Sequence, residues 1–316
     1  MNNSEEFIKS KDLSIVIPCY KSEDYLKKNV ISLLEVLKKE LQLEFEILLV
    51  VDGSPDNTIF IAKDLSSTYT EVRAIELSKN FGQHAALFAG ISQAQGDLIL
   101  TMDDDGQHDP SGIPTLLNSL VPELDVVYGI SDKEEHSFYR NIASRLAKVF
   151  IFRVLGIKNA RHISAFRLLR REVIANIDFS ILSNGTLDVI INWNTDKISW
   201  TEIRMIQRPH GKSNYRLVGL IRFTFDMITN YSTRPLRVAT VFGILGFFIT
   251  GAFAAFIVFA SVNGIIKVPG YASIAILIST LGSIQLLTLG IIGEYLGKIH
   301  EKSFNKPTFT IRKKWN

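Results

Sequence analysis

The densest chemistry in the chain is Thr101–His108, TMDDDGQH, where three carboxylates follow directly from an apolar run. Adjacent carboxylates repel by roughly 4 kcal/mol per 4 Å pair at an effective dielectric of about 20. A strand end that holds them together therefore asks for a cation. By the period-two rule Asp103 and Asp105 project to one side and Asp104 to the other. With Gln107 they make a set of hard oxygen ligands suited to Mg²⁺ or Mn²⁺. His108 reads as a neighbour of that set. Such a metal recruits phosphates, and neither GxxxxGK[ST] nor GxGxxG occurs, so a P-loop and a dinucleotide fold are both unsupported. The phosphate would be held by the metal and nearby cations.

Two more segments close apolar runs in the same way: Pro18-Cys19-Tyr20 and Asp52-Gly53-Ser54-Pro55-Asp56. Each also has a structural reading. DGSPDNT suits a turn and helix cap, and Tyr20 an ordinary half-buried aromatic.

The elements that must position these residues are legible around them. Leu13–Pro18, Glu46–Val51 and Leu98–Met102 are short, β-branched runs that suit buried parallel strands, with Val72–Leu77 and Val126–Tyr128 as weaker examples. Helical patterns fall at 25–41, 57–67 and 81–95. Strands alternating with helices predict an α/β domain with a mostly parallel sheet. Ligands of such sheets bind beyond the carboxyl ends of the strands, where the chemistry lies.

The averages hide a division. The chain has 316 residues, 21% charged and 47% hydrophobic, with net charge +3, which excludes a disordered or disulfide-scaffold protein. Residues 238–262 are 25 consecutive uncharged positions, and 271–292 are also uncharged. A helix of 25 residues is about 37 Å long, against a hydrocarbon core of roughly 30 Å. The two runs, separated by a turn containing Lys267, predict a transmembrane hairpin. Residues 204–237 carry +6, residues 298–316 carry +5, and 1–203 carry −8. Basic flanks face the cytoplasm, so the large N-terminal part is expected there, with the Lys267 turn outside. Tyr215–Asn230 reads as an interfacial helix. Met1–Asp12 is polar, with no cleaved signal peptide visible, and the single Cys19 permits no internal disulfide. On a helix expected over 138–155, Arg140, Ser144 and Lys148 recur every fourth residue and share a face.

IPCY (17–20), VDGSPDNT (51–58), LSKNFGQHAAL (77–87), AQGD (94–97), MDDDGQH (102–108), SAFRLLRREV (164–173) and GKSNY (211–215) occur in the order found in family-2 glycosyltransferases. More narrowly the chain resembles the polyprenyl-phosphate type, which includes dolichol-phosphate mannose synthase and undecaprenyl-phosphate sugar transferases. TNYSTRPLR (229–237) and GEYLGKIHEK (293–302) are similar to the bacterial branch. The resemblance implies a GT-A fold over 1–214, a juxtamembrane helix over 215–237, spans at 238–262 and 271–296, and a basic tail over 297–316. It further implies a multi-pass protein of the bacterial cytoplasmic membrane that moves a sugar, with inversion, from a nucleotide sugar to a polyprenyl phosphate. Pro18, Tyr20, Asp52, Asn80, Asp103 and Asp104 match positions at the nucleotide sugar. Asp105, Arg140, Ser144, Arg167 and Lys212 match positions at the reacting groups, with Arg167 and Lys212 on loops that close over the donor. Self-association into a homo-oligomer is compatible with this reading, and nucleic acid is not among the expected partners.

The chain departs from the family pattern at four places. Val51 stands where VDDGS carries its first carboxylate, and Tyr20-Lys21-Ser22 replaces Tyr-Asn-Glu. Gly129-Ile130-Ser131 lacks an Arg, and Ala165 replaces Asp or Gly. Two other readings remain open on sequence. A processive polysaccharide synthase is disfavoured by the absence of QxxRW. A catalytically weak nucleotide-sugar-binding scaffold is compatible with the departures.

Overall fold

The computed structural model describes residues 13–41, 43–131, 162–179, 186–206, 270–303 and 307–316, with scattered positions between 241 and 263. The chain divides into two units: Met1–Val149 with Ile157–Asn214 and Lys306–Asn316, and Phe150–Gly156 with Tyr215–Asn305.

The first unit carries an eight-stranded sheet: β1 (Leu13–Cys19), β2 (Phe45–Val51), β3 (Val72–Leu77), β4 (Leu98–Thr101), β5 (Val126–Ser131), β6 (Arg167–Arg170), β7 (Ile198–Ile203) and β8 (Ile311–Trp315). Their order across the sheet is β7-β5-β6-β4-β1-β2-β3-β8. β1 runs parallel to β2 and β4, β2 to β3, and β5 to β7, while β6 and β8 run antiparallel to their neighbours. β1 and β2 read as continuous apolar runs because helices cover both faces. On one face α1 (Leu26–Glu40), α2 (Thr58–Thr68) and α4 (Ile113–Ser119) pack with Ile15, Ile17, Leu49 and Leu100. On the other, α3 (Gln83–Gln93) and α5 (Leu187–Asn194) pack with Val16, Leu48, Val50 and Ile99. The alternation of β1 between the two clusters is the pleat expressed as packing.

The strand that follows the membrane-type sequence belongs to this unit. β8 adds to the edge of β3, with Ala74 opposite Trp315 and Leu77 opposite Ile311. Its charges are spent locally. Arg312 pairs with Glu76 at 3.2 Å and donates to the Ser78 carbonyl at 2.8 Å, while Lys63 lies 4.2 Å from the centre of the Trp315 ring. The last residues of the expected basic tail are therefore a sheet edge.

In the second unit α6 (Tyr271–Ser303) runs 33 residues without a break and covers the second expected span. Described positions of the first expected span, including 244–246, 251–253 and 259–260, are helical. Among the described residues no helix is long and apolar enough to cross a membrane; several α6 side chains and much of 238–262 lie outside them.

Candidate functional site

β1, β2 and β4 end side by side, and the loops that leave them wall a cleft of about 870 Å³. Pro18, Tyr20, Asp52, Asn80, Asp103, Asp104 and Asp105 all line it, so the expected strand-end residues are brought together. Gln107 and Arg167 are not among its lining residues. Arg140, Ser144, Lys148 and Lys212 lie outside the described residues.

The three aspartates are separated by what each one accepts. Asp103 takes a hydrogen bond from Gln83 Nε2 at 2.6 Å, on the first turn of α3. Asp104 turns back toward β1, accepting from the Tyr20 amide at 3.2 Å and from the Ser22 hydroxyl. Asp105 Oδ1 accepts from the Gln107 amide at 3.1 Å. The chain has left β4 and turns at Asp104–Asp105, so the alternation expected of an extended chain does not apply; the Asp104 carboxylate fastens two loops together while still lining the cleft. Burial pushes its pKa up to about 6, reinforced by Asp103 and Asp105 and opposed by its two donors. Asn29 Nδ2 of α1 donates to the Asp104 carbonyl at 2.7 Å and latches the same turn. Gly106 follows with φ +73°, and a Cβ there would stand 3.0 Å from the Asn29 amide.

His108 is a neighbour, as its type suggested. Its Nδ1 accepts from the Asp103 amide at 3.0 Å, and its ring stacks on Phe166 at 5.0 Å. Burial holds its pKa below the usual imidazole value. The Gln107 carbonyl accepts from the Ile206 amide at 2.8 Å, which binds the turn to the chain leaving β7.

The DGSPDNT loop has a strong structural share. Both Asp52 oxygens accept backbone N–H groups, from Phe81 at 2.7 Å and Gly82 at 2.8 Å. Burial raises its pKa, and those two donors oppose the shift. Gly53, at φ +55°, is obligatory, because a Cβ would come within 2.3 Å of the Lys79 carbonyl carbon. Asp56 accepts from Ser54 at 2.5 Å and from the Thr58 amide at 3.2 Å, two residues ahead of the start of α2. Lys21 and Ser22 amides donate to Ser54 and Thr58 hydroxyls, both at 2.8 Å, so the first two strand-end loops are stitched together.

Arg167, expected on a loop closing over the donor, lies instead inside β6 and is 2% exposed. It is ion-paired with Asp188 of α5, and its Nε donates to Thr101 Oγ1 at 3.1 Å. Tyr128 OH donates to the same Asp188 oxygen at 3.0 Å. The reason is topological: β6 inserts between β4 and β5, which turns the arginine into the interior. Asp188, like Asn29 and Gln83, was not singled out from the sequence. A lone carboxylate in the apolar turn Leu187–Ile191 was the available signal, since a buried charge requires a partner.

Among the described residues no group of three or more His, Cys, Asp or Glu side chains is placed to hold a metal ion. The donor set nonetheless fits Mg²⁺ or Mn²⁺. These ions are commonly held by one or two carboxylates plus substrate phosphates rather than by an all-protein cage, and Asp103 and Asp105 supply two on one cleft.

Residues 14–178 match glycosyl transferase family 2. An uncharacterized glycosyltransferase of Synechocystis is 31% identical over 305 residues, covering 96% of both chains. The undecaprenyl-phosphate 4-deoxy-4-formamido-L-arabinose transferase of Proteus mirabilis is 30% identical over 314 residues, covering 97% of this chain and 95% of its own. Among solved structures, glucosyl-3-phosphoglycerate synthase of Mycobacterium tuberculosis, in complex with Mn²⁺ and UDP, superposes with TM-score 0.52 at 17% identity, covering 72% of this chain and 80% of its own. Mannosyl-3-phosphoglycerate synthase of Rubrobacter xylanophilus gives 0.51 at 18% identity, with 74% and 76% covered. The α/β sheet with its strand-end cleft is thus a GT-A-like fold, and the chain belongs to glycosyl transferase family 2 and is a glycosyltransferase.

Proposed function

We propose that this enzyme transfers a sugar, with inversion, from a nucleotide sugar to a polyprenyl phosphate at the cytoplasmic face of a bacterial membrane. The observation that carries the proposal is the convergence of Asp103 and Asp105 with Pro18, Tyr20 and Asn80 on one cleft, in a chain whose later sequence is that of a membrane hairpin. The near full-length likeness to a transferase named for undecaprenyl phosphate favours that acceptor class.

In this reading an oxygen of the acceptor phosphate attacks the sugar C1. The C1–O bond to the donor diphosphate breaks as the new C1–O bond forms, and the nucleoside diphosphate leaves with the electron pair. A phosphate is already anionic near neutral pH, so no strong general base is required. Rate then depends on alignment and on stabilising charge at the leaving group. Asp103 and Asp105 would hold Mg²⁺ or Mn²⁺, which when bound neutralises the diphosphate. Pro18, Tyr20 and Asn80 line the nucleoside end. Asp52 acts by fixing the 79–82 loop, and Asp104 by fixing the turn between the two ligands. Arg140, Ser144 and Lys212 are assigned to the acceptor phosphate and the closing loop on the resemblance alone.

The membrane hairpin rests on the two uncharged runs and on α6. Its exposed Ile274, Ile278, Leu286, Leu287, Leu289, Leu296 and Ile299 occupy more than one side of the helix. At about 1.5–3 kcal/mol for each such side chain, their exposure to water would cost on the order of 10 kcal/mol, which lipid removes. Chain connectivity supports two crossings. β7 precedes the hairpin and β8 follows it, and both belong to one sheet, so any excursion across a membrane between them crosses an even number of times.

A screen of nucleotide sugars against undecaprenyl phosphate, using membranes that contain the protein, tests the proposal. Label from at least one donor should enter the organic phase. Transfer only to a water-soluble acceptor would refute it.

A further inference from the structure

Among the described residues one non-glycine lies in the left-handed region, Lys21 at φ +57°. A β-carbon makes that region costly for lysine, whereas Asn and Gly enter it readily. The conformation is imposed from both sides. The Lys21 amide donates to Ser54 Oγ at 2.8 Å, and its carbonyl accepts from Tyr25 OH at 3.3 Å. The strain sits just past the carboxyl end of β1, next to Tyr20 of the cleft lining, while Lys21 is not itself among the lining residues. Strained residues that the surroundings over-determine concentrate at functional sites.

What this position presents is an ammonium group. Lys21 Nζ lies 5.6 Å from the centre of the Tyr20 ring. Tyr20 lines the cleft and is 41% exposed, so its ring is open to a ligand and carries a cation on its face. At the adjoining end of β2, Val51 is 1% exposed and apolar, and each Asp52 oxygen accepts a backbone N–H group.

We infer that Lys21 is a donor-binding residue whose ammonium, held beside Tyr20 by a strained backbone, takes an acceptor oxygen of the nucleotide. This rests on the reading of the cleft as a nucleotide-sugar site. The oxygen is either a base carbonyl or a phosphate oxygen, since both present the chemistry an ammonium recognises.

Calorimetric binding of UDP, UMP and uridine, with Mn²⁺ present, to the full chain in detergent tests the inference. Lys21→Asn removes the charge but suits the left-handed backbone, and Lys21→Arg keeps the charge. The Asn variant is expected to bind UDP about tenfold more weakly, the loss of one charge-assisted contact. It should melt no lower than wild type. The Arg variant should stay within about threefold of wild type. A loss shared by uridine assigns the contact to the base, and a loss confined to UMP and UDP assigns it to a phosphate. Wild-type binding of UDP with an Asn variant within twofold for all three ligands overturns this inference and leaves the proposed function standing. No binding of these nucleotides to the wild type overturns this inference and removes the support that the proposed function draws from the cleft.

Discussion

At the residue scale, three identical neighbours do three different things. All three line the cleft, but Asp103 accepts from Gln83, Asp105 from the Gln107 amide, and Asp104 ties the turn to Tyr20 and Ser22. Asp105→Asn is expected to lower sugar transfer at least about 100-fold with little change in melting temperature. Chelation by EDTA should do the same, and added Mg²⁺ or Mn²⁺ should restore activity to wild type only. Arg167 belongs to the interior. Arg167→Met should destabilise the protein by about 3–5 kcal/mol, because it strands the Asp188 charge, whereas the double change Arg167→Met with Asp188→Leu should recover much of that loss. Thermal unfolding of the two variants checks this, and equal melting of the single variant and wild type would contradict it. The period-two rule did not sort the aspartates, because β4 ends at Thr101 and Asp104–Asp105 form a turn whose three carboxylates all line the cleft. Nor did it place Arg167, whose orientation depends on β6 inserting beside β4 and on an aspartate 21 residues away in sequence.

At the scale of elements, β1 to β5 and α1 to α3 were legible because each buries a continuous or periodic apolar set that propensity and pattern both favour. β8 was not. Its sequence IRKKW carries three cations in five residues, and what makes it a strand is an open edge on β3, which no local signal announces. Nor was β7, whose ISWTEI is half polar and lies at the far edge of the sheet. Ending the chain after residue 306 should expose the β3 edge, lower the melting temperature by several degrees and promote self-association. Size-exclusion chromatography with thermal unfolding in detergent measures both, and unchanged elution and melting would refute the role given to β8. Gly53→Ala should be poorly tolerated for a separate reason, costing at least about 2 kcal/mol through its clash with Lys79.

At the scale of the whole molecule, the net charge of +3 is a cancellation between −8 on residues 1–203 and two basic segments flanking the neutral stretch 238–297. The return of β8 to the first sheet adds a parity rule that composition lacks. In the proposed topology both flanks of the two uncharged runs lie on the same side. In a background without Cys19, Lys267→Cys should react with an impermeant maleimide in intact cells, while Asn316→Cys should react only after permeabilisation. Labelling of both from outside would contradict the orientation.

The central claim concerns what receives the sugar, and the mass of the lipid product reads this most directly. Undecaprenyl phosphate incubated with the enzyme, Mn²⁺ and an accepted nucleotide sugar should gain one sugar residue, keep one phosphorus, and resist a phosphomonoesterase that degrades the starting lipid. The Asp105→Asn variant should leave the lipid unchanged. A product carrying two phosphates, a polymer, or a glycosylated soluble acceptor beside unmodified lipid would contradict the account.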